Sequence, residues 1–280
     1  MNNNSKISCT ELEKYYPVPV SIRSILGLAR SKKTKKLVLA GVSFEVGAGE
    51  VFGIVGPNGA GKTTILKILS HLTSPTSGRA LVCGFDVERQ WEKAVRCIGY
   101  CISEERSFFW RLSGRQNLQF FADLLEVPVR VARAKINDLL ELLELKEVAN
   151  ERFMNYSSGM KQKLAIARSL LADPQVLLMD EPTRGLDPRA ASKLRSFILT
   201  YVSRQNKAAL VTTNQVSDVE HLCHRIAVLN RGRIIARGSV AEINSSLREK
   251  FRMEGALSFE DSFNLLLDED DLRRDRAGKG

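Results

Sequence analysis

The sequence predicts an α/β fold built around a buried parallel sheet, and two stretches of residues support this prediction. Residues 56–64 read GPNGAGKTT and fit the pattern G-x-x-x-x-G-K-[ST] between an apolar run at 51–55 and a helical apolar pattern at 65–72. Residues 176–182 read VLLMDEP, an unbroken apolar run that ends in two acids. Such runs are typical of parallel strands that are buried on both faces and deliver functional side chains at their C-terminal ends.

The elements of the N-terminal half follow from its apolar runs and turn residues. Residues 1–8 are polar and are predicted to be disordered, and strand-like sequence begins near Cys9. Prolines at 17 and 19 favour an irregular path, after which residues 38–46 alternate like a strand and a GAG turn leads into the strand at 51–55. Beyond the first helix, SPTSG at 74–78 predicts a turn. Further strands are expected within 79–86 and at 98–102.

A helical segment interrupts the sheet near the middle of the chain. From about Ser113, a candidate helix cap, to about Val148, apolar residues recur at helical spacing, which predicts an insertion between two strands. Small residues at 156–160 open another helix just before the acidic strand. A helix, a buried strand at 208–213, another helix, a hairpin and a short helix from Ser239 follow. The charged segment at the end has little apolar content and is predicted to be a mobile tail.

The loop at 56–64 has the residue types that a bound triphosphate requires. Glycines let backbone N–H groups approach phosphate oxygens, and the following helix adds the positive end of its dipole. Lys62 supplies an ammonium group for the β- and γ-phosphates, and the Thr63 hydroxyl is placed to hold Mg²⁺. The residues assigned to the nucleotide in this loop are Gly56, Pro57, Asn58, Gly59, Ala60, Gly61, Lys62, Thr63 and Thr64.

The two acids that follow the strand at 176–179 complete this chemistry. Asp180 is assigned to Mg²⁺ through water, and Glu181 is the candidate general base that polarises an attacking water. In isolation, an Asp-Glu pair would equally fit a solvated strand end. The phosphate loop in the same predicted sheet favours the catalytic interpretation, so the chain is predicted to hydrolyse a nucleoside triphosphate with Mg²⁺.

Composition limits the class of protein. The 280 residues are 44 % hydrophobic and 26 % charged, which is ordinary for a globular chain with ample core. No window approaches 18 consecutive apolar residues and no signal peptide is recognisable, so the chain is expected neither to span a membrane nor to be exported. Five cysteines without C-x-x-C spacing favour reduced thiols in the cytosol over disulfides or zinc.

Three local features leave alternatives open. Part of the net charge of +10 lies in a basic run at residues 30–36, which fits a solvated loop or contact with phospholipid head groups; without an aromatic platform, nucleic acid is not expected. Tyr16 either stacks on adenine or is an ordinary half-buried tyrosine. Phe108, Phe109 and Trp110 either pin the helical insertion or form an apolar groove for a partner.

The phosphate loop, Ser157-Ser158-Gly159, the acidic strand end and Leu186-Asp187 occur in an order that resembles the ATP-binding cassette of ABC transporters, over roughly residues 8–240. SEERSFFWRL at 103–112 and YSSGMKQ at 156–162 look most like ATPase subunits of bacterial drug and polysaccharide exporters with a separate permease chain. The resemblance implies a RecA-like P-loop NTPase core with a small antiparallel β subdomain and a helical subdomain inserted at about 104–165. It implies a cassette at 9–240, after disordered residues 1–8 and before a C-terminal helix and mobile charged tail at 241–280.

The resemblance also implies cofactors and an assembly. Two cassettes, identical or different, dimerise head to tail, so that each ATP with its Mg²⁺ lies between the phosphate loop of one and the Ser157-Ser158-Gly159 signature of the other. The Ser157 hydroxyl and the Gly159 N–H at a helix start suit a γ-phosphate, and the likeness adds Asp187 to the nucleotide-binding set. The dimer is expected in the cytoplasm on the cytosolic face of the inner membrane, where it powers a permease that exports a drug, a lipid-linked cargo or a polysaccharide.

Two positions depart from the family pattern. Where cassettes carry a glutamine that touches Mg²⁺ and the attacking water, this chain has Ser103 followed by Glu104, the remaining candidate metal ligand. Where they carry a histidine that holds the γ-phosphate, it has Asn214, which can donate a hydrogen bond but cannot carry charge. Losing a positioned acid–base group typically costs about 10²- to 10⁴-fold in rate, so hydrolysis by Lys62, Glu181 and Asn214 is expected to be slow.

Two other functions fit parts of this pattern. A regulatory cassette that binds ATP with little turnover is favoured by Ser103 and Asn214 and disfavoured by Glu181. A non-transport cassette of translation or DNA repair usually has two cassettes in one chain or a long coiled-coil insertion, and 280 residues hold neither.

Overall fold

The computed structural model of the chain describes residues 5–17, 35–101, 107–253 and 255–277. Its strands are β1 (Ser5–Pro17), β2 (Lys35–Gly47), β3 (Val51–Val55), β4 (Ser77–Val82), β5 (Phe85–Asp86), β6 (Ile98–Cys101), β7 (Val176–Asp180), β8 (Ala208–Thr213), β9 (Arg225–Asn230) and β10 (Arg233–Gly238). Its helices are α1 (Lys62–Leu69), α2 (Trp91–Arg96), α3 (Gly114–Leu124), α4 (Val129–Leu142), α5 (Ser158–Ser169), α6 (Pro188–Arg204), α7 (Val216–Leu222), α8 (Val240–Phe251) and α9 (Phe259–Ala277), with a 3₁₀ turn at Phe153–Asn155.

A six-stranded sheet with the order β10-β9-β3-β8-β7-β6 forms the centre of the fold. All neighbouring strands run parallel except β10, which pairs antiparallel with β9 at one edge. Every residue of β3 and β8 is buried, which explains the unbroken apolar runs of these strands. The register sets Val55 opposite Thr213 and Asp180 opposite Thr212, so β3, β8 and β7 end at the same edge.

A second, antiparallel sheet has the strand order β2-β1-β4-β5. Helix α1 lies between the two sheets, because its buried residues, Ile65 among them, share one core cluster with Phe44 of β2 and Ile54 of β3. The backbone of Ala40 also donates a hydrogen bond of 2.8 Å to Gly232 O in the β9–β10 turn. The predicted α/β fold with a small antiparallel subdomain is therefore confirmed.

Helices α3, α4 and α5 lie between β6 and β7, where the sequence predicts an insertion. Ser113 caps α3 in a capping box, as its position predicts. Phe108 is buried in the core cluster that contains Met179 of β7, so this residue pins the insertion to the core. Phe109 and Trp110, by contrast, are 46 % and 49 % exposed. Phe108 therefore fits the first alternative for this aromatic run, whereas an apolar groove for a partner stays a prediction for Phe109 and Trp110.

The N-terminal predictions need correction. Strand β1 begins at Ser5, so the predicted disorder of residues 1–8 is wrong for residues 5–8; residues 1–4 lie outside the described residues. Ile7 is buried there because it pairs with both β2 and β4, a contact that local polarity does not reveal. In the basic run, residues 35 and 36 belong to β2 rather than to a loop, and residues 30–34 lie outside the described residues.

The predicted mobile tail is also wrong, because most of it forms helix α9. Phe259 and Leu266 of this helix are buried in one cluster with Ile226 of β9 and Ile243 of α8. The Asn230 side chain donates a hydrogen bond of 2.8 Å to Asp270, which ties the helix to the end of β9. Apolar residues at helical spacing, rather than the charged composition, decide the structure of this segment.

Two further findings concern the described residues as a group. Among them, no helix combines the length and the apolar content that crossing a bilayer requires. The five cysteines are free thiols, as the sequence predicts. Burial raises the pKa of the Cys101 thiol to about 12, so this thiol is protonated and unreactive at neutral pH.

The packing of α9 gives a stability prediction. We expect Phe259→Ala to lower the free energy of unfolding by about 3 kcal/mol, because it removes a fully buried ring and leaves a cavity. Phe251→Ala is the matched control, since that ring is 42 % exposed, and it should cost less than about 1 kcal/mol. Urea unfolding of both variants measures the difference. Equal losses would contradict the packed helix.

Candidate nucleotide-binding site

The loop between β3 and α1 is closed by hydrogen bonds from Ala60 N and from the Lys62 side chain to backbone carbonyls of the loop. Ala60 N donates to Pro57 O at 3.2 Å, and the Lys62 ammonium donates to Gly56 O at 2.6 Å and to Pro57 O at 3.2 Å. A Cβ atom at Gly56 would lie 2.1 Å from the backbone oxygen of Leu229, so only glycine fits this position. The result is a tight loop whose N–H groups lead directly into a helix start, as a phosphate cradle requires.

The ammonium of Lys62 is almost completely enclosed, with 7 % of the residue exposed. Burial lowers the pKa of Lys62 below its ordinary value, and the carboxylates of Glu181 and Asp180 oppose this shift. A polyanion beside this group would favour the charged form further. The environment of Lys62 therefore suits a phosphate ligand.

The acidic end of β7 meets the phosphate loop. Thr63 Oγ1 donates a hydrogen bond of 3.0 Å to Asp180 Oδ2, and the Thr212 hydroxyl donates to the other carboxylate oxygen of Asp180. Hydroxyl and carboxylate oxygens are the protein ligands that Mg²⁺ takes together with water and phosphate oxygens. The residue types at this junction thus fit a magnesium ion.

Glu181 follows β7 in a backbone conformation that is uncommon for a residue with a side chain, with φ +48°. Its N–H donates to Thr212 O at 2.9 Å, which fixes the turn against the neighbouring strand. Its carboxylate is largely buried and forms an ion pair with Arg184, with Oε2 and Nη1 3.0 Å apart. The turn thus holds Glu181 beside Asp180 at the sheet edge.

These groups line one open cavity of about 600 Å³, a volume typical of small-molecule sites. The lining residues are Tyr16, Lys36, Val38, Asn58, Gly59, Gly61, Lys62, Thr63, Thr64, Lys67, Asp180, Glu181 and Arg184. Four of them are basic and two are acidic, so the cavity attracts anions. Tyr16 is half-buried and lies in the same cavity as the phosphate loop, so stacking on adenine stays a prediction beside the ordinary half-buried position.

The signature residues lie elsewhere in the chain. Ser157 caps α5 by accepting a hydrogen bond of 3.2 Å from Met160 N, and Asp187 caps α6 by accepting one of 2.9 Å from Ala190 N. This backbone bond lowers the pKa of Asp187, which therefore stays charged at neutral pH. Neither Ser157-Ser158-Gly159 nor Asp187 lines the phosphate-loop cavity. Gly159 instead packs near Leu186, since a Cβ there would lie 3.4 Å from its Cδ2.

One predicted residue does not join the site, and another prediction is not tested. Asn214 is exposed in the loop after β8 and does not line the cavity. Ser103 and Glu104 lie outside the described residues, so a metal-binding role for Glu104 stays a prediction.

A buried carboxylate beneath the site was not predicted from the sequence. Asp218 has no exposed surface and accepts hydrogen bonds from Thr183 Oγ1 at 2.6 Å, Thr213 Oγ1 at 3.1 Å and Arg195 Nη1 at 3.0 Å. It therefore ties the loop after Glu181 to the end of β8. Helix α7 also carries Glu220, so the sequence gives no signal that singles out Asp218 as the buried acid.

A phosphate cradle joined to two acids at the edge of a parallel sheet defines a P-loop ATPase. Residues 39–184 match the model of the family described as ABC transporter. The chain belongs to the ABC transporter family.

Three relatives illustrate the family membership. The uncharacterized ABC transporter ATP-binding protein YhcH of Bacillus subtilis (strain 168) is 36 % identical over 209 residues, which cover 75 % of this chain and 67 % of that protein. The daunorubicin resistance ATP-binding protein DrrA3 of Streptomyces coeruleorubidus is 37 % identical over 217 residues, which cover 78 % of this chain and 68 % of that protein. The Nod factor export ATP-binding protein I of Burkholderia pseudomallei (strain 1710b) is 40 % identical over 204 residues, which cover 73 % of this chain and 66 % of that protein. These relatives confirm the predicted likeness to ABC ATP-binding subunits, including those of the drug-resistance and Nod factor export types.

Solved structures share the fold. The ATP-binding subunit of an ABC transporter superposes with a TM-score of 0.76 at 24 % identity, over 93 % of this chain and 99 % of that one. The dimeric post-hydrolysis state of the ATP-binding cassette MJ0796, bound to ADP and Pi, superposes with a TM-score of 0.72 at 22 % identity, over 83 % of this chain and 98 % of that one. These matches confirm the predicted P-loop NTPase fold.

The Gly56 contact gives a prediction about the loop. We expect Gly56→Ala to weaken ATP binding by about five- to 150-fold, because the added methyl group forces the loop away from Leu229 at a cost of about 1–3 kcal/mol. Gly47→Ala is the control, since its Cβ would meet only a side-chain oxygen at 3.4 Å. Calorimetric titration with ATP compares the two. Unchanged affinity in Gly56→Ala would rule out this tight loop.

Proposed function

We propose that the chain is a transport ATPase that binds MgATP between its phosphate loop and the end of β7, and that hydrolysis drives a separate permease. The observation that carries the proposal is the convergence of Lys62, Thr63, Asp180 and Glu181 on one cavity. ATP hydrolysis and transport are properties of the family. The residue assignments, the metal and the cargo are the proposed part.

Each residue of the site has a distinct role in this proposal. The N–H groups of the glycine loop and the Lys62 ammonium bind the phosphates. Thr63 and Asp180 would hold Mg²⁺, which when bound neutralises charge on the phosphate oxygens. Glu181 accepts a proton from the attacking water, so its carboxylate must be free when the water arrives. Tyr16 stacks on the adenine ring.

Two groups of residues outside the phosphate-loop cavity are the proposed contacts with partner proteins. Ser157, Gly159 and Asp187 lie away from the chain's own cavity, so they are available to a nucleotide bound on a second cassette, either another copy of this chain or a different one. The related cassette MJ0796 is a dimer with ADP and Pi. The exposed rings of Phe109 and Trp110 offer an apolar face to a permease on the cytosolic side of the membrane.

The cargo is proposed by analogy with the relatives. One of these is a daunorubicin resistance protein and another is a Nod factor export protein. We therefore assign export of a drug, a lipid-linked molecule or a polysaccharide. A regulatory cassette with little turnover is the second candidate, favoured by Asn214, which is exposed and cannot carry charge.

Replacing Lys62 tests the nucleotide site itself. We expect Lys62→Ala to weaken ATP binding by about tenfold or more, because a buried charge-assisted contact to the phosphates is lost. Lys93→Ala removes an equal charge from an exposed position outside the cavity and should leave binding unchanged. Titration calorimetry with MgATP measures both. Wild-type affinity in Lys62→Ala would exclude this loop as the binding site.

Replacing Asn214 tests whether turnover is limited at that position. We expect Asn214→His to raise the rate of phosphate release by about tenfold or more, since it restores a group that can carry a proton. Glu181→Gln serves as the control and should abolish release while ATP binding persists. An unchanged rate in Asn214→His would count against the idea that Asn214 impairs the site.

A further inference from the structure

The cavity contains a basic side chain that no motif assigns. Arg184 follows Thr183 in the loop after β7 and lines the cavity with Lys62, Thr63 and Glu181. Its guanidinium forms an ion pair with the Glu181 carboxylate at 3.0 Å. The Arg184 side chain is 72 % exposed, whereas that of Glu181 is 16 % exposed. The acid is therefore held in place by the fold, and the arginine is the partner that can move.

The backbone beneath Arg184 is anchored. Thr183, the preceding residue, is buried and donates to Asp218 at 2.6 Å, and Arg184 N donates to Glu181 O at 3.1 Å. A long side chain on a fixed base can change its partner by rotamer changes alone, without movement of the loop. The guanidinium can thus reach other anions that enter the same cavity.

The chemistry of the guanidinium favours a terminal phosphate over the carboxylate of Glu181. Arginine presents a planar set of donors that matches phosphate oxygens and keeps its charge at every physiological pH. A γ-phosphate carries more negative charge than one carboxylate and has more acceptor oxygens. In the family pattern, a histidine holds the γ-phosphate. The residue at that position here, Asn214, is uncharged and does not line the cavity, so this contact to the γ-phosphate is missing.

We propose that Arg184 binds the γ-phosphate of ATP in this chain's own cavity, and that in doing so it releases Glu181 from their ion pair. The inference rests on the proposed function, because it requires ATP in this cavity. ADP has no γ-phosphate, so it leaves the Arg184–Glu181 pair intact. The general base is therefore freed only when the substrate to be hydrolysed is present.

The first test compares nucleotides with and without a γ-phosphate. The purified full chain is titrated calorimetrically with MgADP and with the magnesium complex of the non-hydrolysable imido analogue of ATP. We expect Arg184→Ala to weaken binding of the analogue by about tenfold and binding of ADP by less than about twofold. Arg184→Lys should recover part of the loss. Arg189→Ala is the matched control, since it removes the same charge from an exposed position on α6 that does not line the cavity.

The second test measures the competition between Glu181 and the phosphate. Glu181→Gln removes the competing carboxylate, so it should strengthen binding of the analogue in the wild-type background and not in the Arg184→Ala background. The inference is overturned if Arg184→Ala leaves analogue binding unchanged, if it weakens both nucleotides equally, or if Glu181→Gln has the same effect in both backgrounds. Failure of the wild-type chain to bind either nucleotide would instead overturn the proposed function, on which the inference depends.

Discussion

The hydrogen bond between Thr63 and Asp180 is the contact on which the site depends. It joins residues that are 117 positions apart in the sequence, and it forms because β3, β8 and β7 are paired in parallel and end at one edge of the sheet. A shift of one residue in this register would turn Asp180 to the other face of the sheet. The apolar strands and the helices that cover them therefore have a functional consequence, because they hold this register in place.

A second layer of buried polar contacts supports that edge. Thr212 donates to Asp180 from the neighbouring strand, and Asp218 accepts bonds from Thr183 in the loop after β7 and from Thr213 at the end of β8. Burying a carboxylate is unfavourable unless it is paired and hydrogen-bonded, and Asp218 meets this condition through Arg195. Because the network is satisfied, the loops around Glu181 keep a defined geometry. The Arg184 side chain, in contrast, is largely exposed in its ion pair with Glu181.

The sequence predicts the parts of the structure that depend on local patterns. The phosphate loop is encoded within nine residues, and the buried strands and the capped helix at Ser113 each carry their own signal. The predicted disorder of residues 5–8 and the predicted mobile tail are wrong, because Ile7 and Phe259 are buried by residues far away in the sequence. Charged and polar composition around these apolar residues hid that burial.

Side-chain contacts within the site were equally inaccessible from sequence. An Arg three residues after a Glu is common in loops, and only the positive φ of Glu181 and the anchoring of Thr183 bring the two into one cavity. Asp218 carries no motif and acts through three partners from separate elements. The roles of Arg184 and Asp218 can therefore be recognised only from the structure of the assembled sheet edge.

Metal-directed cleavage of the backbone tests most directly whether the phosphate loop and the end of β7 share one metal–nucleotide site. Fe²⁺ would replace Mg²⁺ in the presence of ATP, with ascorbate and peroxide added to generate radicals at the metal. We expect ATP-dependent cuts in two segments, next to Thr63 and next to Asp180. Cuts in only one of these segments, or cuts that do not require ATP, would contradict a shared site.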